Sequence, residues 1–314
     1  MKSLLRFLSM AIILLVFTQS LFAASLKLAL NWKAEPQFGG FYAAQILGEY
    51  KKQGLEIEIL EGGSGTPTVQ MLANGKVDLA IVSAEEIIIS QERNPKNKVV
   101  AIFAVFQTNP QAILTREERG FQKLQDIFKN EGVLALQSGL SYAQFLINKM
   151  KPIQVKLVPY QGGIGHLLAD RKYSQQGFST SEPLLAEKSG LKVKTFLVAD
   201  EGFNPYTTVL ATTEAHLNDK EFIRKIRQAV TAGWQAYLRD PTATNEKMAL
   251  LNKSMDPELF KKSAAAQKAL IETPETDKAG IGTMTLQRWK ALSEQLIALK
   301  IIKNSSDPSR YFVN

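Results

Sequence analysis

The sequence predicts a two-domain α/β protein in which two extended segments cross between the domains. Three observations predict it. Strand-like and helix-like stretches alternate along the first two thirds of the chain. The opening unit, Leu28 to Gly65, reads strand, loop, helix, strand, and parallel strands joined in this way need a right-handed crossover. Extended stretches recur at Gln111–Thr115 and Tyr206–Thr212, and the second reads as the return crossing to the first domain. The expected division is residues 25–108 with 204–314 as domain one and residues 109–203 as domain two.

Leu28, Ala29 and Leu30 end a short apolar run that suits a buried strand. Asn31-Trp32 opens a loop, and Pro36 forbids simple continuation of the strand. Gly39 and Gly40 leave room for close backbone approach, and a helix follows with Phe41, Ala44, Leu47 and Tyr50 on one side. Its end is marked by Lys51-Lys52 and then Gly54. Leu55 to Leu60 alternates as the second strand. Ligands of open α/β sheets bind beyond the carboxyl ends of the strands. Trp32, Gln37 and Phe38 are therefore expected to face a small molecule.

Thr66-Pro67 reads as a helix start, with Thr66 as the cap. Val77 to Val82 reads as a buried strand. Ser83 then stands three residues before Glu86, a capping-box spacing that gives Glu86 to the helix and leaves Ser83 and Glu85 as ligand candidates. Val99 to Val105 is another strand, broken by Phe106-Gln107-Thr108-Asn109-Pro110, which leaves Gln107 as a further ligand candidate. Gly132 to Gln137 is a strand, and Ser138 to Ser141 lead into a helix whose N-terminus suits polar or negative ligand atoms as well as an ordinary serine cap. Gln154 to Tyr160 is a strand. Gly162, Gly163 and Gly165 form a tight turn rather than a phosphate loop, since no Lys-Ser/Thr pair completes one. Tyr160 and Gln161 are candidates there. Gln175 to Thr180 is a strand, and Ser181-Glu182-Pro183 opens a helix on which Glu182 either faces the cleft or simply favours the helix dipole. The remainder is helical, with a long helix over Phe222–Leu238 and further helices over 242–252, 257–269 and 285–302.

One family shows the same ordered set of residues: Asn31-Trp32, Pro36-Gln37, Gly39-Gly40-Phe41-Tyr42, Gly48, Tyr50-Lys51-Lys52, Gly54-Leu55-Glu56 and Leu60-Glu61-Gly62-Gly63. The chain resembles the NMT1/THI5-like group of periplasmic substrate-binding proteins. The resemblance continues through Gly75-Lys76, Val77-Asp78, Glu182-Pro183, Pro205 to Leu210 and the closing Asp307–Asn314 segment. It implies a type II periplasmic-binding-protein fold, with ligand bound between the domains and an ABC permease of the inner membrane as partner. Relatives in the group bind thiamine pyrimidine precursors, riboflavin, sulfonates or nitrate. A sensory ligand-binding module would look the same at the site. On this resemblance Glu182 faces the cleft and Tyr206 lies on the return crossing.

The ends and the composition agree with export. Lys2 and Arg6 precede the uncharged apolar run Met10–Phe17, and Ala23-Ala24 supply small residues for cleavage, which together predict a signal peptide over residues 1–24. The expected location is the periplasm. The chain has no Cys, so disulfides, thiolate nucleophiles and Cys-ligated metals are excluded. Its net charge is +8 and its basic residues are scattered, without the arginine–aromatic interleaving of nucleic-acid binders.

Catalysis has little to draw on. The two histidines, His166 and His216, read as solvated or capping residues, and no metal or other cofactor is expected. Pyrimidine-synthesising fungal relatives use a histidine in the loop after Asn-Trp and a cysteine-rich motif, whereas Phe38 stands at that histidine's position here and cysteine is absent. The chain is therefore read as a monomeric binding protein and not an enzyme. Trp32, Phe38, Tyr160 and Tyr206 suit a flat heterocycle. Glu182 and Glu85 are placed to accept its N–H groups, and Ser83, Gln107, Ser138, Gln37 and Gln161 complete the expected site.

Overall fold

Two sheets carry the molecule, and the chain passes between them twice. The computed structural model describes residues 25–63, 65–96 and 98–314, so the signal-peptide reading of residues 1–24 lies outside the described residues. The strands are β1 (Leu26–Ala29), β2 (Ile57–Leu60), β3 (Leu79–Val82), β4 (Val99–Phe106), β5 (Gln111–Arg116), β6 (Val133–Leu136), β7 (Lys156–Pro159), β8 (Tyr173–Phe178), β9 (Val193–Leu197) and β10 (Thr207–Thr213). One five-stranded sheet has the order β2-β1-β3-β10-β4 and the other β7-β6-β8-β5-β9. In the first, β1 lies parallel to β2 and β3, and β10 is antiparallel to β3 and β4. In the second, β6 is parallel to β7 and β8, and β5 is antiparallel to β8 and β9.

Two strands of the first sheet, β3 inside it and β4 at its end, are continuous apolar runs because both their faces are covered. All eight residues of β4, Val-Val-Ala-Ile-Phe-Ala-Val-Phe, are buried, as are all four of β3. Residues 107–110 and 198–206 link the sheets. They are tied to each other: the Asn109 N–H donates to Asn204 Oδ1 at 2.8 Å, and Asn109 Nδ2 donates to the Pro205 carbonyl at 3.3 Å.

Gly39 and Gly40 do allow close approach, and the neighbour is a helix. A Cβ on Gly40 would stand 2.2 Å from the Trp234 ring, and one on Gly39 would stand 2.2 Å from the Tyr237 ring. Both aromatics belong to the Lys220–Arg239 helix, which spans the predicted Phe222–Leu238 and a turn's edge beyond at each end. The helix expected from Phe41 to Tyr50 is interrupted. It runs over Gly39–Ile46, Gly48 adopts φ 71°, and a short Glu49–Lys52 turn follows. Leu47 is 47% exposed, so its apolar spacing does not place it in the core. Thr66 is not a cap either. Its hydroxyl accepts the Gly63 N–H at 2.8 Å within the loop, and the helix runs over Thr68–Ala73. The last long helix ends at Ala298 rather than Ile302, with Lys300 at φ 60° turning the chain.

Candidate functional site

Because β1, β3 and β4 end at one edge of the first sheet, the loops that follow them share that edge. β6, β7 and β8 likewise end together in the second sheet. The linking residues 107–110 leave the first edge and enter the second beside the end of β8, where Gln111 pairs with Phe178. Both edges therefore adjoin the crossings, and the carboxyl ends of the strands in open α/β sheets are where ligands bind.

The first edge is built on the loop after β1. Trp32 is half-buried and donates its indole N–H to Glu35 Oε1 at 3.0 Å. Asn252 supports the same loop: its amide donates to the Ala34 carbonyl at 3.2 Å. The Ala34 N–H donates to Glu61 at 3.2 Å. Burial pushes the Glu35 carboxyl up to about 7, and the charge of Glu182 pushes it the same way. The Trp32 bond, nearby Lys33 and Asn252 oppose this.

The second edge is built on the ends of β7 and β8. Glu182 opens the Glu182–Lys188 helix, with Pro183 in its first turn. Its carboxylate accepts the Phe178 N–H at 2.7 Å and the Tyr160 hydroxyl at 3.4 Å. Gly177 leaves room for it, since a Cβ there would stand 3.0 Å from the Glu182 side chain. Burial raises the Glu182 carboxyl above the usual range, while the hydrogen bonds from Phe178 and Tyr160 act to lower it. Tyr160 is half-buried and its hydroxyl also reaches the Gly163 carbonyl at 3.3 Å, across a turn in which Gly162 and Gly163 take φ 86° and 67°.

The Glu182–Lys188 helix also bridges to the first sheet's side. Leu184 and Leu185 pack against the apolar cluster that holds Ala34, Phe38 and Phe41, and Trp32 packs against that cluster too. Lys188 pairs with Asp256, the N-cap of the Pro257–Ile271 helix, and Lys262 of that helix pairs with Glu187 at 3.3 Å.

Several expected ligand residues are placed elsewhere, for identifiable reasons. Phe38 is fully buried in the core. In the short Pro36–Phe38 turn the outer two side chains point inward and Gln37 between them is half-buried. Tyr206 is 2% exposed: its hydroxyl accepts the Thr285 N–H at 3.0 Å and the Arg288 guanidinium lies 3.7 Å above its ring. Gln107 turns inward too, donating to the Thr283 carbonyl at 3.1 Å. These two brace the crossings and offer no face to a ligand. Ser83 caps the Ala84–Arg93 helix in a capping box with Glu86, whose carboxylate accepts the Ser83 N–H at 2.8 Å. Ser138 and Gln161 are exposed at the second edge. Glu85 Oε2 is buried without a hydrogen-bond partner among the described residues, and burial pushes this carboxyl up to about 8. His166 lies against Tyr173 with ring centroids 5.4 Å apart, and His216 stacks on Phe222 at 4.7 Å.

Sequence reading missed Glu35 and Asn252. Glu35 stands between Trp32 and Pro36, beside the motif residues already singled out. Asn252 comes from a segment some 220 residues away, and nothing local marks it.

A family model described as NMT1/THI5 like matches residues 35–244. Among curated proteins, the 4-amino-5-hydroxymethyl-2-methylpyrimidine phosphate synthase of Aspergillus parasiticus is 30% identical over 64 residues, 20% of this chain and 19% of that protein. The synthase THI11 of Saccharomyces cerevisiae is 24% identical over 174 residues, 55% of this chain and 42% of that protein. The chain thus matches less than half the length of either relative. Among solved structures, the periplasmic aliphatic sulphonate binding protein SsuA of Escherichia coli superposes with a TM-score of 0.71 over 92% of each chain at 12% identity. At that identity the likeness is one of fold: two α/β lobes of the periplasmic-binding-protein type.

Proposed function

The chain belongs to the NMT1/THI5-like family, and we propose that it is the exported solute-binding protein of an ABC importer, taking a small nitrogen-bearing aromatic heterocycle of the thiamine-pyrimidine precursor type between its lobes. The lobes are residues 25–108 with 204–314, and residues 109–203. The observation that supports the reading is an aromatic side chain bonded to a carboxylate on each lobe, Trp32 with Glu35 after β1 and Tyr160 with Glu182 after β7 and β8. Aromatic side chains offer a face for stacking, on the order of 1 kcal/mol beyond area burial. Carboxylates accept N–H groups, and a buried acceptor left unpaired costs about 1–3 kcal/mol, which rejects ligands without the matching donor. Closure around the ligand follows from its higher affinity for the closed form, and the closed form is what an inner-membrane permease would recognise.

An anion such as a sulfonate calls for arginine or several free N–H donors. Arg288, the arginine beside the crossings, is stacked on Tyr206 and donates to the Asn204 carbonyl at 2.8 Å. Against a pyrimidine-synthesising activity, the resemblance puts Phe38 where those enzymes carry a histidine, Phe38 is buried, and the chain has no cysteine.

The test is a thermal-shift panel on the mature protein with aminopyrimidines, thiamine, riboflavin, taurine, alkanesulfonates and nitrate. Ligand at about a hundred times its dissociation constant adds roughly 2.7 kcal/mol, and each kcal/mol moves Tm by about 2–4 °C for a chain of this size. Stabilisation by aminopyrimidines is the expected result. Stabilisation by sulfonate or nitrate alone would overturn the ligand class.

A further inference from the structure

Strand β8 carries two adjacent glutamines where its neighbours in the sheet are apolar. Gln175 is paired with Leu114 of β5 and Ala135 of β6, and Gln176 with Ile113 of β5. Successive residues of a strand face opposite sides of the sheet. Gln175 is therefore on the side of Leu167 and Tyr173, and Gln176 on the side of Leu136 and Tyr142. Both are buried, at 1% and 6% exposed. A buried amide costs free energy unless it is hydrogen-bonded, and an aliphatic side chain would fill either place without that demand. Each amide is satisfied by a loop at the second edge. Gln175 Nε2 donates to the Gly163 carbonyl at 2.8 Å, in the turn after β7, and to the Gln176 carbonyl at 3.3 Å. The Tyr160 hydroxyl lies 3.3 Å from the same Gly163 oxygen and 3.4 Å from Glu182 Oε1. Gln176 Oε1 accepts the Gln137 N–H at 2.6 Å and the Tyr142 hydroxyl, and its Nε2 donates to Gln137 Oε1 at 2.7 Å. Gln137 precedes the exposed Ser138-Gly139-Leu140 stretch, and Tyr142 follows it in the first turn of the Ser141–Lys149 helix. The Leu140 N–H closes that stretch on the Gln137 carbonyl at 2.9 Å.

We infer that Gln175 and Gln176 are positioning residues for the second edge: Gln175 fixes the turn that orients Tyr160 through the Gly163 carbonyl, and Gln176 fixes the Ser138–Leu140 loop from both of its ends. The inference rests on the proposed reading of that edge as one wall of the ligand site. Both glutamines act through these loops. Because they lie on opposite faces of β8, removing one amide loosens one loop and spares the other.

The experiment uses the mature protein with Gln175→Leu and Gln176→Leu, which keep the side-chain size and remove the amide. Gln176→Leu leaves the Tyr142 hydroxyl without its acceptor, so Gln176→Leu combined with Tyr142→Phe is made as well. The first reading is the amide 15N order parameters without ligand. Loss of the Gln175 amide should lower those of Gly162, Gly163 and Gly165 from about 0.85 toward about 0.6 and leave Ser138–Leu140 as in the parent, and loss of the Gln176 amide should do the reverse. The second reading is affinity for 4-amino-5-hydroxymethyl-2-methylpyrimidine as the probe. Gln175→Leu should weaken it about 3–10-fold in the parent but less than about 2-fold in Tyr160→Phe, because the effect passes through the Tyr160 hydroxyl. A residue with only a structural role would give the same factor in both backgrounds. Unchanged order parameters in the folded variants, or the same factor in both backgrounds, would overturn the inference. Failure of the parent to bind the probe would count against the ligand reading alone, and the ligand-free order parameters then decide the inference by themselves.

Discussion

Trp32 donates its indole N–H to Glu35 at 3.0 Å, and this bond, made within one loop, sets both an aromatic face and a carboxylate at the first edge of the cleft. Trp32→Phe keeps a ring but removes the N–H. The bond holds the Glu35 carboxyl down, so its loss should raise that carboxyl further above about 7. Carbon-detected NMR titration of the Glu35 carboxyl checks the shift. The same variant should bind the parent's heterocycle about 3–10-fold more weakly, as expected for the loss of a hydrogen bond of roughly 1 kcal/mol and some ring area.

Burial raises Glu35 to about 7 and Glu85 to about 8 from an ordinary 4.5. The folded chain therefore binds protons that the unfolded chain releases between those values. Stability from these groups is present in full below their ordinary range and is lost as pH rises through the raised values. Ligand-free Glu35→Gln and Glu85→Gln should each gain stability relative to the parent at about pH 8 and show little gain at about pH 5. Denaturant melts at both conditions measure this. A gain of equal size at both would show that the substitution acts through something other than charge.

Gly40 has no room for a side chain, since a Cβ would stand 2.2 Å from the Trp234 ring, and Gly233 faces it with a Cβ position 2.2 Å from the Gly40 carbonyl oxygen. Gly40→Ala should cost about 1–3 kcal/mol through overpacking, a fall in Tm of roughly 3–10 °C. The Glu35 loop precedes this helix directly, so ligand affinity should fall as well. Gly63, by contrast, has open space where its Cβ would stand, and Gly63→Ala should leave Tm nearly unchanged.

The Lys188–Asp256 pair joins the lobes, with side chains 47% and 37% exposed. Such a pair contributes about 0–1 kcal/mol. Lys188→Glu sets like charges together across the cleft and should favour the open form. A larger radius of gyration by X-ray scattering without ligand, and a heterocycle affinity weakened about 2–5-fold, are expected. Both effects should fade as salt is raised toward about 1 M, where screening is short-ranged.

The fully buried strands were legible because their physics is local. An unbroken apolar run such as Val99–Phe106 suits a strand covered on both faces, and it forms one. The Ser83–Glu86 capping box was legible for the same reason: both partners lie within one turn. Side-chain direction was not. Phe38 lies in the loop after β1 and Tyr206 on the return crossing, as expected, yet the Pro36–Phe38 turn sends Phe38 into the core, and Thr285 and Arg288 claim Tyr206. The first of these is decided by a short turn and the second by a helix some 80 residues along the chain, neither of which periodicity reports. Nothing local marks Glu35, because what sets it at the edge is the bond from Trp32 and a loop that Asn252 of a distant segment holds through Ala34.

The chain has three tryptophans. Trp234 and Trp289 are fully buried and Trp32 alone is partly exposed, at the cleft. Titrating the mature protein with an aminopyrimidine while recording tryptophan emission tests the central claim most directly. A saturable change in the parent that is lost in a folded Trp32→Phe variant is the predicted result. No change with any aromatic heterocycle, or the same change in parent and variant, would contradict the placement of the ligand between Trp32, Glu35 and Glu182.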